Sequence, residues 1–127
     1  MANNENKIEQ MIDSINCNTH VLKDLINETN NNGKIINSKM SDYAKHSKKM
    51  DKRQMSAYRA YANEMRKLKE NISYLPKDKE SINQLYKTQN EAEMQLALEK
   101  IHKKQVGTME FLCDLIEKSQ RVMGIFN

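Results

Sequence analysis

Cys17 and His20 stand three residues apart, a spacing that sets a thiol and an imidazole on one face of a helix. Both are metal ligands, but a structural zinc site needs four donors, and neither has further Cys or His neighbours in sequence. The three histidines, His20, His46 and His102, are widely separated and form no close ligand pair. Cys113 would need a base to act as a nucleophile, and no residue spacing supplies one, so it reads as a buried structural thiol. Glu91 and Glu93, two apart, point to different helix faces and read as solvated charge rather than an acid–base pair. No GxxxxGK[ST], GxGxxG, HExxH or GxSxG motif occurs, and three glycines in the whole chain are too few for a phosphate-cradling loop. The expectation is a protein that is not an enzyme, with no catalytic, metal or cofactor site.

Charge offers more than chemistry does. In KHSKKMDKRQ, residues 45–54, five of ten positions are Lys or Arg. At ~100° per residue, one continuous helix would place Lys45, Lys48, Lys49, Lys52, Arg53, Arg59, Arg66 and Lys67 opposite its apolar face, as a ridge roughly 33 Å long. Such a ridge reads either as the solvated back of an amphipathic helix or as a surface for nucleic acid, anionic lipid or acidic protein. Tyr43 and Tyr61 fall on the apolar side, so no stacking platform lies beside the ridge and base-specific readout is not expected. Residues 1–33 carry two Lys against five acids, whereas residues 40–70 carry nine Lys or Arg against four, so the two segments also attract one another.

The elements that carry these residues read as helices. Ile8, Ile15 and Leu22 recur every seven residues, with Met11, Ile12, Leu25 and Ile26 beside them, predicting a helix over 5–29. Asn18 occupies this seam, where a polar residue fixes register. NNNG at 30–33 reads as the stop, with Gly33 as a left-handed cap. Ile36, Met40, Tyr43, Met50, Ala57, Tyr61, Met65, Leu68, Ile72 and Leu75 predict a second helix over 34–75, closed by Pro76. A third is predicted over 79–123, with Gly107 as a kink and Gly124 as an end signal. The fold class is all-α: two long helices in an elongated antiparallel hairpin, with a shorter N-terminal third helix against one end, in a coiled-coil or three-helix-bundle arrangement. One domain, 1–127, is expected.

Nine methionines are scattered through this pattern, where they serve as seam residues or line a groove for a partner helix. The most apolar stretch is C-terminal, and Phe111, Ile125 and Phe126 there are candidate anchors, either for the chain's own core or for a protein partner. Hydrophobic residues make up 38% of the chain and charged residues 30%, a balance that suits thin helical stripes better than a thick core. The polar first ten residues lack the apolar stretch of a signal peptide, and no apolar run approaches the ~20 residues of a membrane-spanning helix. With two cysteines outside any CxxC spacing, the expectation is a cytoplasmic or otherwise intracellular, reducing location.

The reading that follows is a helical interaction protein, a structural subunit or adaptor that works by coiled-coil packing against a protein partner or a second copy. The alternative is a nucleic-acid or anionic-surface binder that uses the basic face of the second helix.

Overall fold

Ile8, Ile15 and Leu22 are buried, and their seven-residue spacing does not stop there: Thr29 and Ile36 are also buried, and Tyr43 follows half-buried. The helix these positions define is correspondingly long. A computed structural model describes residues 2–46, 48–73 and 90–126. Three helices account for nearly all of them: α1, Ala2–Lys45; α2, Lys52–Ile72; and α3, Glu91–Ile125. No strand occurs among the described residues.

The all-α, three-helix expectation holds, but the helix boundaries differ from those predicted. α1 runs through NNNG as a continuous helix instead of ending there. Asn and Gly are poor helix formers, each costing up to ~1 kcal/mol relative to Ala, yet tertiary contacts outweigh that here. Thr29 donates its hydroxyl to the Leu25 carbonyl at 2.8 Å, and buried Asn32 donates its amide to Ser119 Oγ at 2.9 Å. Gly33 is not a cap: a Cβ placed there would lie 3.1 Å from the Tyr61 hydroxyl, so the missing side chain is what makes room for the end of the Tyr61 side chain.

The chain turns instead between the end of α1 at Lys45 and the start of α2 at Lys52, which the sequence placed in mid-helix. Asp51 caps α2 by accepting from the Gln54 N–H at 2.8 Å, and the Gln54 side chain accepts from the Asp51 N–H at 3.0 Å. This reciprocal capping box satisfies two donors that would otherwise be orphaned at a helix start. The predicted turn around Pro76 and the predicted helix start at 79 lie outside the described residues. α3 begins with Asn90 accepting from the Glu93 N–H at 2.9 Å, and Glu91 and Glu93 complement the positive end of its dipole.

The pairing of the long helices also differs. Asn18 bonds to Gln105 and Asn32 to Ser119, and both pairs are 87 residues apart. A constant offset means that α1 and α3 run parallel. The antiparallel partner is the short α2: Gln54 reaches the Ile125 carbonyl, and Thr108 donates to the Asn71 carbonyl, so numbers rise along one helix as they fall along the other. The short helix is therefore the middle one, and the first helix is the longest at 44 residues, roughly 66 Å.

Two apolar clusters follow from these lengths. At the three-helix end, Leu22, Ile36, Tyr61, Leu68, Leu112, Leu115, Val122 and Phe126 form one core. At the other end Ile8, Ile15, Met94 and Leu98 pack together with Met11, Ile12 and Ile101, all from α1 and α3. Gly107 lies inside unbroken α3, and a Cβ there would meet nothing within 4 Å. It is neither a kink nor a close approach. Gly107→Ala should therefore raise unfolding stability by about 0.5–1 kcal/mol through helix propensity, which urea titration would measure.

Candidate interaction surfaces

Polar side chains inside the seam are the first unusual feature. Gln105, fully buried, donates to the Ile15 carbonyl and to Thr19 Oγ, each at 3.2 Å, and accepts from Asn18 at 3.3 Å. Fourteen residues further on, Ser119 accepts from Asn32 and donates to the Ile116 carbonyl at 2.6 Å. Among the described residues no buried side-chain nitrogen or oxygen lacks a partner. A polar layer costs stability relative to an apolar one, but it is satisfied in one register only, so it fixes how α1 and α3 align. The register role read from Asn18 is thus realised with Gln105 as its mate.

The second feature is the basic cluster, which the bend between α1 and α2 rearranges. Lys45 ends α1, Lys48 and Lys49 lie in the turn, and Lys52 and Arg53 open α2. These five exposed cations form a cap over one end of the bundle. Arg59, Arg66 and Lys67 are exposed too, but they follow α2 back along the bundle, so the single 33 Å ridge does not exist. The helical wheel failed because it assumed one helix where there are two. Lys48 is held near the apolar end, its N–H donating to the Tyr43 carbonyl at 2.9 Å and its ammonium 5.6 Å from the Tyr43 ring centre. On the side of the bundle, Lys118 bridges Asp114 at 2.8 Å and Glu64 at 3.6 Å, and Glu64 also stands 3.9 Å from Lys67. The bond to Asp114 in particular holds the Lys118 ammonium above its usual pKa.

The candidate anchors are distributed unevenly. Phe126 is buried and meets Tyr43 edge-on, with ring centres 5.0 Å apart, so its ring is taken up by the chain's own core. Phe111 and Ile125 are half-buried, and Phe111 packs against the three-helix core. Burial, and secondarily the neighbouring Tyr58, raises the pKa of the Tyr61 hydroxyl above its usual value near 10.

The third feature, among the described residues, is an open cleft of about 400 Å³ beside the smaller apolar cluster, lined by Lys7, Gln10, Met11, Ser14, Gln95, Glu99 and His102. It runs between α1 and α3 and mixes charge of both signs with one thioether. Sequence reasoning placed none of these residues together, since it paired α2 with α3 in this region. Exposed Val21, Ile35, Val106 and Leu96 add apolar surface along the long helices, Leu96 being 59% exposed.

Cys113 is exposed rather than buried, a correction to the sequence reading, and Cys17 is exposed as well. Cys113 sits beside Leu112 and Leu115 but one step round the helix from the buried stripe. Among the described residues no three His, Cys, Asp or Glu side chains converge in a way that would hold a metal ion. None of the helices is long and apolar enough to cross a membrane. The class these features define is a helical bundle with polar layers in its seam and a cationic cap at one end. Comparison with protein-family models, curated proteins and solved structures returned no match.

Proposed function

We propose that the protein is a non-enzymatic helical interaction protein, a structural subunit or adaptor that packs its long helices against a protein partner in coiled-coil fashion. The supporting observation is the end where the N-terminal part of α1 meets the start of α3. There α1 and α3 share a narrow apolar core and, among the described residues, leave beside it an open cleft lined by Met11 together with Lys7, Gln95, Glu99 and His102. Apolar surface beside charges of both signs is what an amphipathic helix requires of its receptor. Photo-crosslinking residues placed at Ser14 and Gln95 should capture a single protein species in cells, and a control at exposed Glu117, at the opposite end, should not. Equal capture from all three positions would remove the cleft as the docking face.

A second reading, attachment to an anionic surface, draws support from the cationic cap. Because Lys45, Lys48, Lys49, Lys52 and Arg53 gather at one end, a polyanion would meet the bundle end-on instead of lying along α2. Retention on heparin should fall steeply between ~50 and ~200 mM salt, and reversal of Lys48 and Lys52 to Glu should abolish it, with Arg59 and Arg66 reversals doing much less. Equal loss from either pair would mean a diffuse charge effect without a cap.

A further inference from the structure

The bend between α1 and α2 has an unusual sequence. Residues 46–51 contain neither glycine nor proline, and neither residue occurs anywhere between Gly33 and Pro76. The apolar residues also stay in phase across it. Ile36, Met40 and Tyr43 on α1, Met50 in the turn, and Ala57, Tyr61, Met65, Leu68 and Ile72 on α2 are spaced by three, four or seven throughout. All nine are buried or half-buried in the bent form. A helix corner ordinarily resets the phase of its apolar face and carries a residue that breaks the helix. This one does neither, so the same residues would present one unbroken stripe if α1 and α2 ran straight.

What holds the bend is a small set of polar contacts and a concentration of charge. The contacts are the Asp51–Gln54 capping box and the Gln54 amide, which donates to Tyr43 Oη at 2.9 Å. The charge works through spacing. On a straight helix, Lys45–Lys48, Lys45–Lys49, Lys48–Lys52, Lys49–Lys52 and Lys49–Arg53 would be like-charge neighbours three or four apart, each of which opposes helix formation.

We infer that the bend between the end of α1 at Lys45 and the start of α2 at Lys52 is a hinge and that, when it straightens, two copies of this chain exchange α1 to form a swapped dimer. In each copy α2 keeps its own α3, and α1 crosses to lie in the parallel seam of the other copy's α3. The Asn18–Gln105 and Asn32–Ser119 layers then re-form between chains, so every contact of the bent form is kept except those at the corner. Exchange of an identical element through a short connecting loop is a low-cost route to a dimer. The two straightened hinges meet at the two-fold axis and bring ten cations together, so the dimer is favoured by salt or by a polyanion and opposed at low ionic strength. This inference does not rest on the function proposed above, and either stands without the other.

The test is size-exclusion chromatography with light scattering on the full chain, at ~20 and ~500 mM salt, after equilibration at high protein concentration. A dimer fraction that rises with salt is expected. Asp51→Ala removes the cap and should tighten dimerisation about tenfold or more. Lys49→Pro, which a straight helix does not tolerate, should abolish the dimer, and Lys49→Gly should weaken it while retaining the helical circular dichroism of the monomer. Spin labels at Asn37→Cys and Ala60→Cys, with Cys17 and Cys113 replaced by Ser and labelled chains diluted in unlabelled ones, report the bend itself. In the monomer they should lie across the groove between α1 and α2, much nearer than in the dimer, where they should be about 35 Å apart, the length of 23 helical residues. A chain that stays monomeric at high salt even as Asp51→Ala, a dimer that survives Lys49→Pro, or an unchanged label distance would each overturn the inference.

Discussion

Leu115→Ala is expected to destabilise the protein by about 3–4 kcal/mol, most of the stability that a slender bundle has to spare. Leu115 is fully buried in the one core to which all three helices contribute, among Leu22, Ile36, Tyr61, Leu68, Leu112 and Val122. Neighbours fixed by three backbones collapse little into the space left by a removed side chain, so the loss combines transfer and cavity terms. Leu98→Ala is the informative comparison. It is equally buried, at 1% exposed, but lies in the smaller cluster, where among the described residues α1 and α3 flank it. That site relaxes more readily and should lose nearer 2 kcal/mol. Urea denaturation of both variants checks the order, and a greater loss at Leu98 would show that the larger cluster is not the more rigid of the two.

The second large effect concerns the buried layer formed by Asn32 and Ser119. Ser119→Ala removes the acceptor of a buried amide, and about 1–3 kcal/mol should be lost because the Asn32 Nδ2 donor is left without a partner and without water. Asn32→Ala should cost a similar amount. The double variant should cost little more than either single one, since the penalty of an unpaired polar group disappears when both partners are gone. A double-mutant cycle that gave strict additivity would mean that the two side chains do not recognise each other across the seam. The same pair sets the parallel alignment of α1 with α3, so the double variant should also show faster amide exchange along both helices.

Much of this architecture was legible in the residues. The period of Ile8, Ile15 and Leu22 announced a helix, and its continuation through Thr29, Ile36 and Tyr43 was there to be counted. It was masked because Thr29 is polar and because NNNG carries a strong local stop signal. Local propensity lost to tertiary contacts: Asn32 found Ser119, and Gly33 made room for Tyr61. The opposite error occurred at 46–51. There an in-phase apolar pattern and the absence of Gly or Pro argued for a straight helix, whereas Asp51 and Gln54 cap a new one. That capping box follows a D-x-x-Q spacing visible in the sequence, but it falls inside a run of lysines and is easily read as part of a charged face. The arrangement of the cationic residues depended on the bend and so could not follow from spacing. The cleft lined by Lys7, Met11, Gln95 and His102 joins residues nearly ninety positions apart, and only the parallel pairing of α1 and α3 brings them together.

That parallel pairing has a mechanical consequence. Ala2 begins α1 at one end of the bundle, and Ile125 closes α3 at the other. Tension applied between those two points slides α1 along α3 and loads every layer of the seam at once, from Ile8 to Val122. A hairpin of two antiparallel helices pulled from its adjacent ends would peel open one turn at a time. Under load along its length this chain behaves as a strap in shear, and the hydrogen-bonded layers of Gln105 and Ser119 become catches against slippage, each of which must break before the helices can shift by a heptad.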